Sequence, residues 1–228
     1  LEVLSGASAT MAGDVSVSSL LTLAGGNITT GSNTLGIVFP GTVTRTSGGV
    51  AGNLRKHFIS GPTPSVTFEL VAGSSYEPVV VTPANVTTPG EVTLSLSGSL
   101  HPQIATAGLA SGRRWGHTVS FSPGALVVAG TTSFDLTLDP AALEGSASPS
   151  TFVARAYNGG AWGTTTRLSA APTVHSAQLT PGPGTTGLAL GNAGIDHYVV
   201  SATSPQYRGT SFTTGVAAQD QFSQPVTD

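Results

Sequence analysis

Residues 13–37 read Gly-Asp-Val-Ser-Val-Ser-Ser-Leu-Leu-Thr-Leu-Ala-Gly-Gly-Asn-Ile-Thr-Thr-Gly-Ser-Asn-Thr-Leu-Gly-Ile. Three short apolar segments, Gly13 to Val17, Leu20 to Leu23 and Asn33 to Ile37, are separated by Gly-Gly-Asn and Gly-Ser-Asn turns. Their spacing is about a dozen residues, close to one rung of a short β-solenoid. An ordinary meander of hairpins has the same texture, because glycine and asparagine serve a solenoid corner and a hairpin turn equally well. The stretch is therefore β, with solenoid and meander both open.

Outward from this stretch, period-two alternation continues along most of the chain. Val66-Thr-Phe-Glu-Leu70, Val92-Thr-Leu-Ser-Leu96, Phe134-Asp-Leu-Thr-Leu138, Val79 to Val81 and Tyr198-Val-Val200 alternate or form short β-branched runs, as half-buried strands do. The 30 glycines and 15 prolines break nearly every window long enough for a stable helix. One helical turn is expected around Pro140 to Glu144. The fold class is all-β, with a solenoid-like or meander N-terminal part and an Ig-like β-sandwich after it. The expected units are 1–85, 86–200 and 201–228, the first boundary falling in the linker-like Pro83 to Pro89. That segment also reads as a tight loop between strands.

Composition narrows the function classes. Only 8% of the 228 residues are charged, against about 25% in ordinary soluble domains, and roughly a quarter are Ser or Thr. Such a surface repels copies of itself weakly and suits a chain packed against neighbours or glycans. A net charge of −3 and a single lysine, Lys56, provide no basic stripe for phosphates, so nucleic acid is not an expected partner. No apolar run approaches the roughly 20 residues of a membrane-spanning helix. The absence of cysteine removes disulfides and thiolate metal sites. Leu1-Glu-Val-Leu carries no leader pattern, so a signal peptide is expected to be removed or to lie upstream.

Candidate chemistry is sparse. Trp115 and Trp162 are the only indoles; core anchoring is the first expectation for each, and with Tyr157 they are also the candidates for stacking on a sugar ring. Asp135 and Asp139 flank Thr137 and are calcium candidates at a strand edge, although solvated acids protecting an edge have the same pattern. His57, His101, His117, His175 and His197 form no paired zinc motif, and no Gly-x-Ser-x-Gly elbow is present. Glu69, Glu77, Glu91 and Asp196 would need to meet in space to serve as a glycosidase pair. Arg55-Lys56 and Arg113-Arg114 read as ion pairs or packing stems. Asn27-Ile-Thr and Asn85-Val-Thr match the glycosylation acceptor pattern. No cofactor is expected.

An ordered set of segments carries a resemblance. Arg45-Thr-Ser-Gly-Gly-Val-Ala-Gly-Asn-Leu-Arg-Lys56, Tyr76-Glu-Pro-Val-Val-Val-Thr82, His101-Pro-Gln-Ile-Ala-Thr-Ala-Gly108, Arg114-Trp115 and Phe152 to Trp162 follow the order seen in large bacterial secreted repeat proteins of the cell surface or extracellular matrix. The resemblance spans roughly residues 10–200. The tail, Ser211 to Asp228, resembles the opening of bacterial Ig-like repeats, with Ser223-Gln224 where their pattern has Gly-Asn. This resemblance implies an extracellular location and an adhesin-like architecture.

Three functions follow as expectations. The first is a structural subunit or spacer that associates with neighbouring copies or adjacent repeats, in filaments where strands are exchanged. Leu1, Val3, Leu4, Phe212, Val216 and Phe222 are its expected interface, and the tail is expected to pair with a different copy. The second is a carbohydrate-binding module using Trp115, Tyr157 and Trp162. The third is a secreted hydrolase.

Overall fold

The computed structural model describes residues 1–62, 64–163, 166–167, 169–170, 174–179, 186–202, 208, 211–220 and 222–226. It is all-β, with 58% strand and no helix of seven residues or more.

The N-terminal strands are β1 (Glu2–Val3), β2 (Ala9–Thr10), β3 (Val15–Val17), β4 (Leu20–Leu23), β5 (Asn27–Ile37), β6 (Thr42–Arg45) and β7 (Gly49–Phe58). They pair in parallel, not as hairpins. One sheet runs β1-β4-β6, and β2 and β3 lie along β5, which lies along β7. Glu2 faces Thr22 and Leu20 faces Thr42, so the chain returns beside itself at intervals of about 20 residues. The dozen-residue spacing in the sequence measures strand to strand within this circuit.

Parallel register stacks like on like. Ile28 lies on Val50 and Leu35 on Leu54, all four buried, and burial of each contributes about 2 kcal/mol. Polar side chains follow the same register. Asn33 Nδ2 donates to the Met11 carbonyl 22 residues earlier at 3.1 Å, and Asn53 Nδ2 donates to the Asn33 carbonyl 20 residues earlier at 3.1 Å. The Thr34 amide donates to Asp14 Oδ1 at 2.8 Å. This ladder satisfies backbone groups where the circuit bends and strand pairing lapses.

The chain then forms β8 (Val66–Phe68), β9 (Val71–Ala72), β10 (Ser75–Tyr76), β11 (Val79–Thr88), β12 (Gly90–Ser97), β13 (Leu109–Arg114), β14 (Thr118–Ser122), β15 (Val127–Thr137), β16 (Phe152–Tyr157), β17 (Thr166–Arg167), β18 (Ser169–Ala170), β19 (Val174–Leu179) and β20 (Gly187–Ala193). The free edge of β7 takes β12 antiparallel, with Leu94 opposite Leu54. The parallel circuits thus continue into a mixed sheet ordered β17-β16-β20-β14-β12-β7-β5-β2, antiparallel from β7 to β17. A second sheet, β18-β19-β15-β11-β8, faces it.

Alternate residues of both sheets fill the space between them: Leu94, Val119, Phe121 and Leu190 from one, Val79, Val81, Phe134 and Leu136 from the other. Phe121 and Phe134 meet edge to face at 5.6 Å. Pro83 to Thr88 belongs to β11, and the chain turns at Pro89 into β12. Within β11, Pro83 to Thr88 pairs with β15, whereas β8 pairs only with Val79 to Val81. The expected helical turn is a short 3-10 turn, Pro140–Ala142, capped by Asp139 Oδ1 accepting from the Ala141 amide.

On the other face of β16 and β20 lies a smaller apolar cluster of Ala107, Leu109, Val153, Ala189 and Ala193, against which Ile104, Trp162 and Phe222 pack. Last come β21 (His197–Ala202) and β22 (Thr214–Gln219), an antiparallel two-stranded ribbon.

Candidate functional site

Three places gather the polar, aromatic and exposed apolar residues singled out above. The first lies between the sheets. Glu77, between β10 and β11, is 1% exposed. Its Oε2 accepts from Trp115 Nε1 at 3.1 Å and from the Asp139 amide at 3.3 Å, while His117 Nδ1 lies 3.0 Å from Oε1 and 3.1 Å from Oε2. Burial pushes the Glu77 carboxyl above the usual range; the neighbouring His117 and the Asp139 amide offset part of that, and the Asp139 carboxylate adds to it. The arrangement fastens one sheet to the other through an indole, an imidazole and a carboxyl.

The sign of the pH effect follows. A carboxyl whose folded pKa is raised is penalised when ionised, so its contribution improves as pH falls from neutrality through that pKa towards the ordinary carboxylate range. Glu77→Gln is therefore expected to lose this component. Denaturant midpoints of wild type and variant, measured across this window, should converge or cross with acid on the wild-type side. Parallel pH profiles would show that Glu77 does not titrate as described.

Lys56 and Glu69 form a second buried pair, Nζ to Oε2 at 2.7 Å, with Nζ also donating to the Thr67 carbonyl at 2.5 Å. Burial lowers the lysine pKa, and Glu69 opposes that shift. Arg55 lies 3.2 Å from Glu91, and Arg114 Nε is 3.0 Å from Glu144. Asp196 lies beside His197 at 3.0 Å. Glu69, Glu77, Glu91 and Asp196 thus have separate partners and do not converge on one cleft.

The second place is an aromatic cluster over the start of β20. His101 lies 4.5 Å from Tyr157 and 5.0 Å from Trp162, and Tyr157 and Trp162 are 5.2 Å apart. Their planes are inclined by 51° to 72°, so the three rings form a corner and not a flat platform. All three are half-buried. Trp162 Nε1 donates to the Gln103 carbonyl at 2.9 Å. Gly187 makes room beneath: a Cβ there would lie 3.0 Å from His101 Cδ2. Burial lowers the His101 pKa, and its Nδ1 accepts from the Gln103 amide at 3.1 Å. Trp115 is not part of this cluster; it is 1% exposed in the main core, and the idea that it stacks on a sugar is corrected by the absence of an open ring face.

The third place is the C-terminal ribbon with its anchor. Asp220 is buried, and its Oδ1 accepts from the amides of Phe222 and Gln224 at 2.8 and 2.9 Å. The turn closes with Ser223 at φ 58°, a left-handed conformation that glycine adopts more readily than serine. Phe222 then packs on the small apolar cluster. Between this anchor and the body lies a cavity of about 270 Å³ bordered by Arg113, Thr151, Asn192, Asp220 and Gln224.

The expected interface residues divide. Leu1, Leu4, Phe212 and Val216 are 57–64% exposed. Val3 and Phe222 are engaged within their own chain, Val3 in the main core and Phe222 on the outer cluster; alternation points Val3 inward, and the Asp220 turn aims Phe222 at β16 and β20. The tail strand β22 pairs with β21 of the same chain, which corrects the expectation that the tail pairs with a different copy. Asp135 and Asp139 do not share a site: Asp135 Oδ1 accepts from Ser133 Oγ, and Asp139 caps the 3-10 turn. Among the described residues no group of three metal-ligating side chains occurs, and no helix is long and apolar enough to cross a membrane. The side chain of His175 lies outside the described residues.

Glu77, Trp115, His117 and Asp139 each stand out in the sequence, but nothing in it brings together residues 38 and 40 positions apart. Neither a family model, a curated protein nor a solved structure matches this chain.

Proposed function

We propose that this chain is a structural module of a secreted bacterial surface protein: a short β-solenoid running into an Ig-like β-sandwich, with a C-terminal ribbon that leads to a further repeat or to a neighbouring copy. The observation that carries this reading is β7, paired in parallel with β5 on one edge and antiparallel with β12 on the other. A strand shared in this way makes the two architectures one stiff body, as a spacer holding an attachment point away from a surface requires. The low charge of the chain and the resemblance to secreted repeat proteins support the same reading. Antibody raised against the purified chain is expected to label intact cells; labelling only after permeabilisation would overturn the extracellular assignment.

Self-association takes a narrower form than exchange of a free tail strand, because β22 already has a partner. The surfaces left for it are the outer edge of β21 and the exposed Leu1 and Leu4.

A carbohydrate-binding role is the second reading, favoured by the half-exposed corner of His101, Tyr157 and Trp162. Aromatic faces of this kind stack on sugar rings. Trp162→Ala is expected to weaken retention on an immobilised polysaccharide by about tenfold. Equal retention of wild type and variant would remove the reading. For a hydrolase the support is weaker, since Glu69, Glu77, Glu91 and Asp196 are each held by separate partners.

A further inference from the structure

Among the described residues the sheet edges are mostly short: apart from the ribbon, the outermost strands are β1, β2, β9, β10, β17 and β18 with two residues each, β3 and β8 with three, and β6 with four and an arginine at its end. The six-residue β13 is interrupted by Gly112 at φ 70°, carries Arg113 and Arg114, and pairs irregularly. Shortness, charge and irregularity are the devices by which proteins stop their edges recruiting other chains. In the ribbon, the Gln219 end of β22 is already met by Pro225 and Val226, the Val226 amide donating to the Ala218 carbonyl at 2.9 Å, whereas among the described residues nothing pairs with the outer edge of β21. Strands β21 and β22 are six residues each, pair without a register shift, and contain no Lys, Arg, Asp, Glu or Pro.

Its side chains are also uncovered. Residues opposite one another share a face, which places Tyr198, Val200 and Ala202 beside Ala218, Val216 and Thr214. Tyr198 is 62% exposed, Val200 66% and Val216 64%. An isolated two-stranded ribbon is marginal in water and gains stability when a third strand joins. Of the two strands, β21 carries the larger β-formers, His-Tyr-Val-Val-Ser-Ala, whereas β22 is mostly small.

We propose that the outer edge of β21 is a homodimerisation site, pairing antiparallel with β21 of a second copy to give a four-stranded sheet about a two-fold axis. A second copy is the occupant that matches: its edge has the same length, and the strand has no formal charge to oppose itself across the axis. The proposal rests on the structural-module reading and names its partner. Pairing through β21 alone closes on itself, so the product is a dimer and not a filament.

The test is sedimentation of the full chain from about 1 to about 200 µM, a range suited to an interface this small. Wild type is expected to move from monomer to dimer with a dissociation constant of about 100 µM. Val200→Lys, which sets like charges together near the axis, should weaken dimerisation at least about tenfold, while Val216→Lys on β22 should change it by less than about threefold. Since the chain has no cysteine, single cysteines add a readout that does not depend on the lysine variants folding well. Under mild oxidation Val199→Cys or Val200→Cys should yield covalent dimer, and Val216→Cys should not. Monomer throughout, a dimer indifferent to Val200→Lys, preferential cross-linking at residue 216, or open-ended assembly would each overturn the proposal. None of these outcomes bears on whether the chain lies outside the cell, which surface labelling decides.

Discussion

Trp115→Ala is expected to cost about 4 kcal/mol of folding stability, enough to remove a large part of the whole for a domain of ordinary stability. The indole is among the largest fully buried side chains, sits 5.3 Å from the His117 ring, and anchors its backbone to β20 through its amide and the Leu190 carbonyl. Truncation leaves a cavity and also strips Glu77 of a donor at 3.1 Å. Trp115→Phe separates the two effects: it fills most of the space and lacks the N–H, so its cost should be about 1–2 kcal/mol. Denaturant unfolding measures both. Trp115→Phe leaves Trp162 as the sole indole, so circular dichroism is the better probe. A Phe variant as stable as wild type would mean that the Trp115–Glu77 bond contributes nothing net.

Gly48→Ala is the second large effect, at about 3 kcal/mol or more. Gly48 has φ 76°, and a Cβ there would fall 2.1 Å from the Gly26 carbonyl oxygen, which lies one circuit earlier. A Cβ on Gly26 would in turn run into the Ala7 carbonyl of the first circuit. Successive corners are thus stacked backbone on backbone, and a methyl group must push two circuits apart. Gly31→Ala is the control. Its φ is also positive, at 61°, but nothing lies within 4 Å of the new Cβ, so only the conformational cost of about 1 kcal/mol remains. Thermal unfolding of the two variants should differ by several degrees; equal losses would show that the circuits are not in close contact at this corner.

Alternation identified the strands because burial on one face imposes it whatever the partner. Val92, Leu94 and Leu96 point inward, as do Phe134, Leu136 and Leu138. Pairing direction was not legible in residues 13–37, since parallel and antiparallel strands share the period of two and both use glycine at corners. What decides it is the ladder Met11, Asn33, Asn53, a regularity of register that becomes visible only once the circuits are superposed. Lys56 and Glu69 were legible in kind, as a charged stem seeking a partner, but not in pairing, because the packing of one sheet on the other brings Lys56 of β7 to the residues at the end of β8. Tyr157 and Trp162 were picked out as aromatic candidates and do meet across a hairpin; the third ring, His101, comes from a distant loop that alternation does not describe. The tail read correctly as a β segment, and its partner was missed because β21 looked like an ordinary strand of the preceding domain.

Calorimetry of the full chain tests most directly the claim that the circuits and the facing sheets form one stiff structural body. With β7 belonging to both, they should unfold together, in a main transition whose calorimetric and van't Hoff enthalpies agree. Gly48→Ala should shift that whole transition downward. Two resolved transitions, with Gly48→Ala moving only one and Trp115→Ala only the other, would contradict the account.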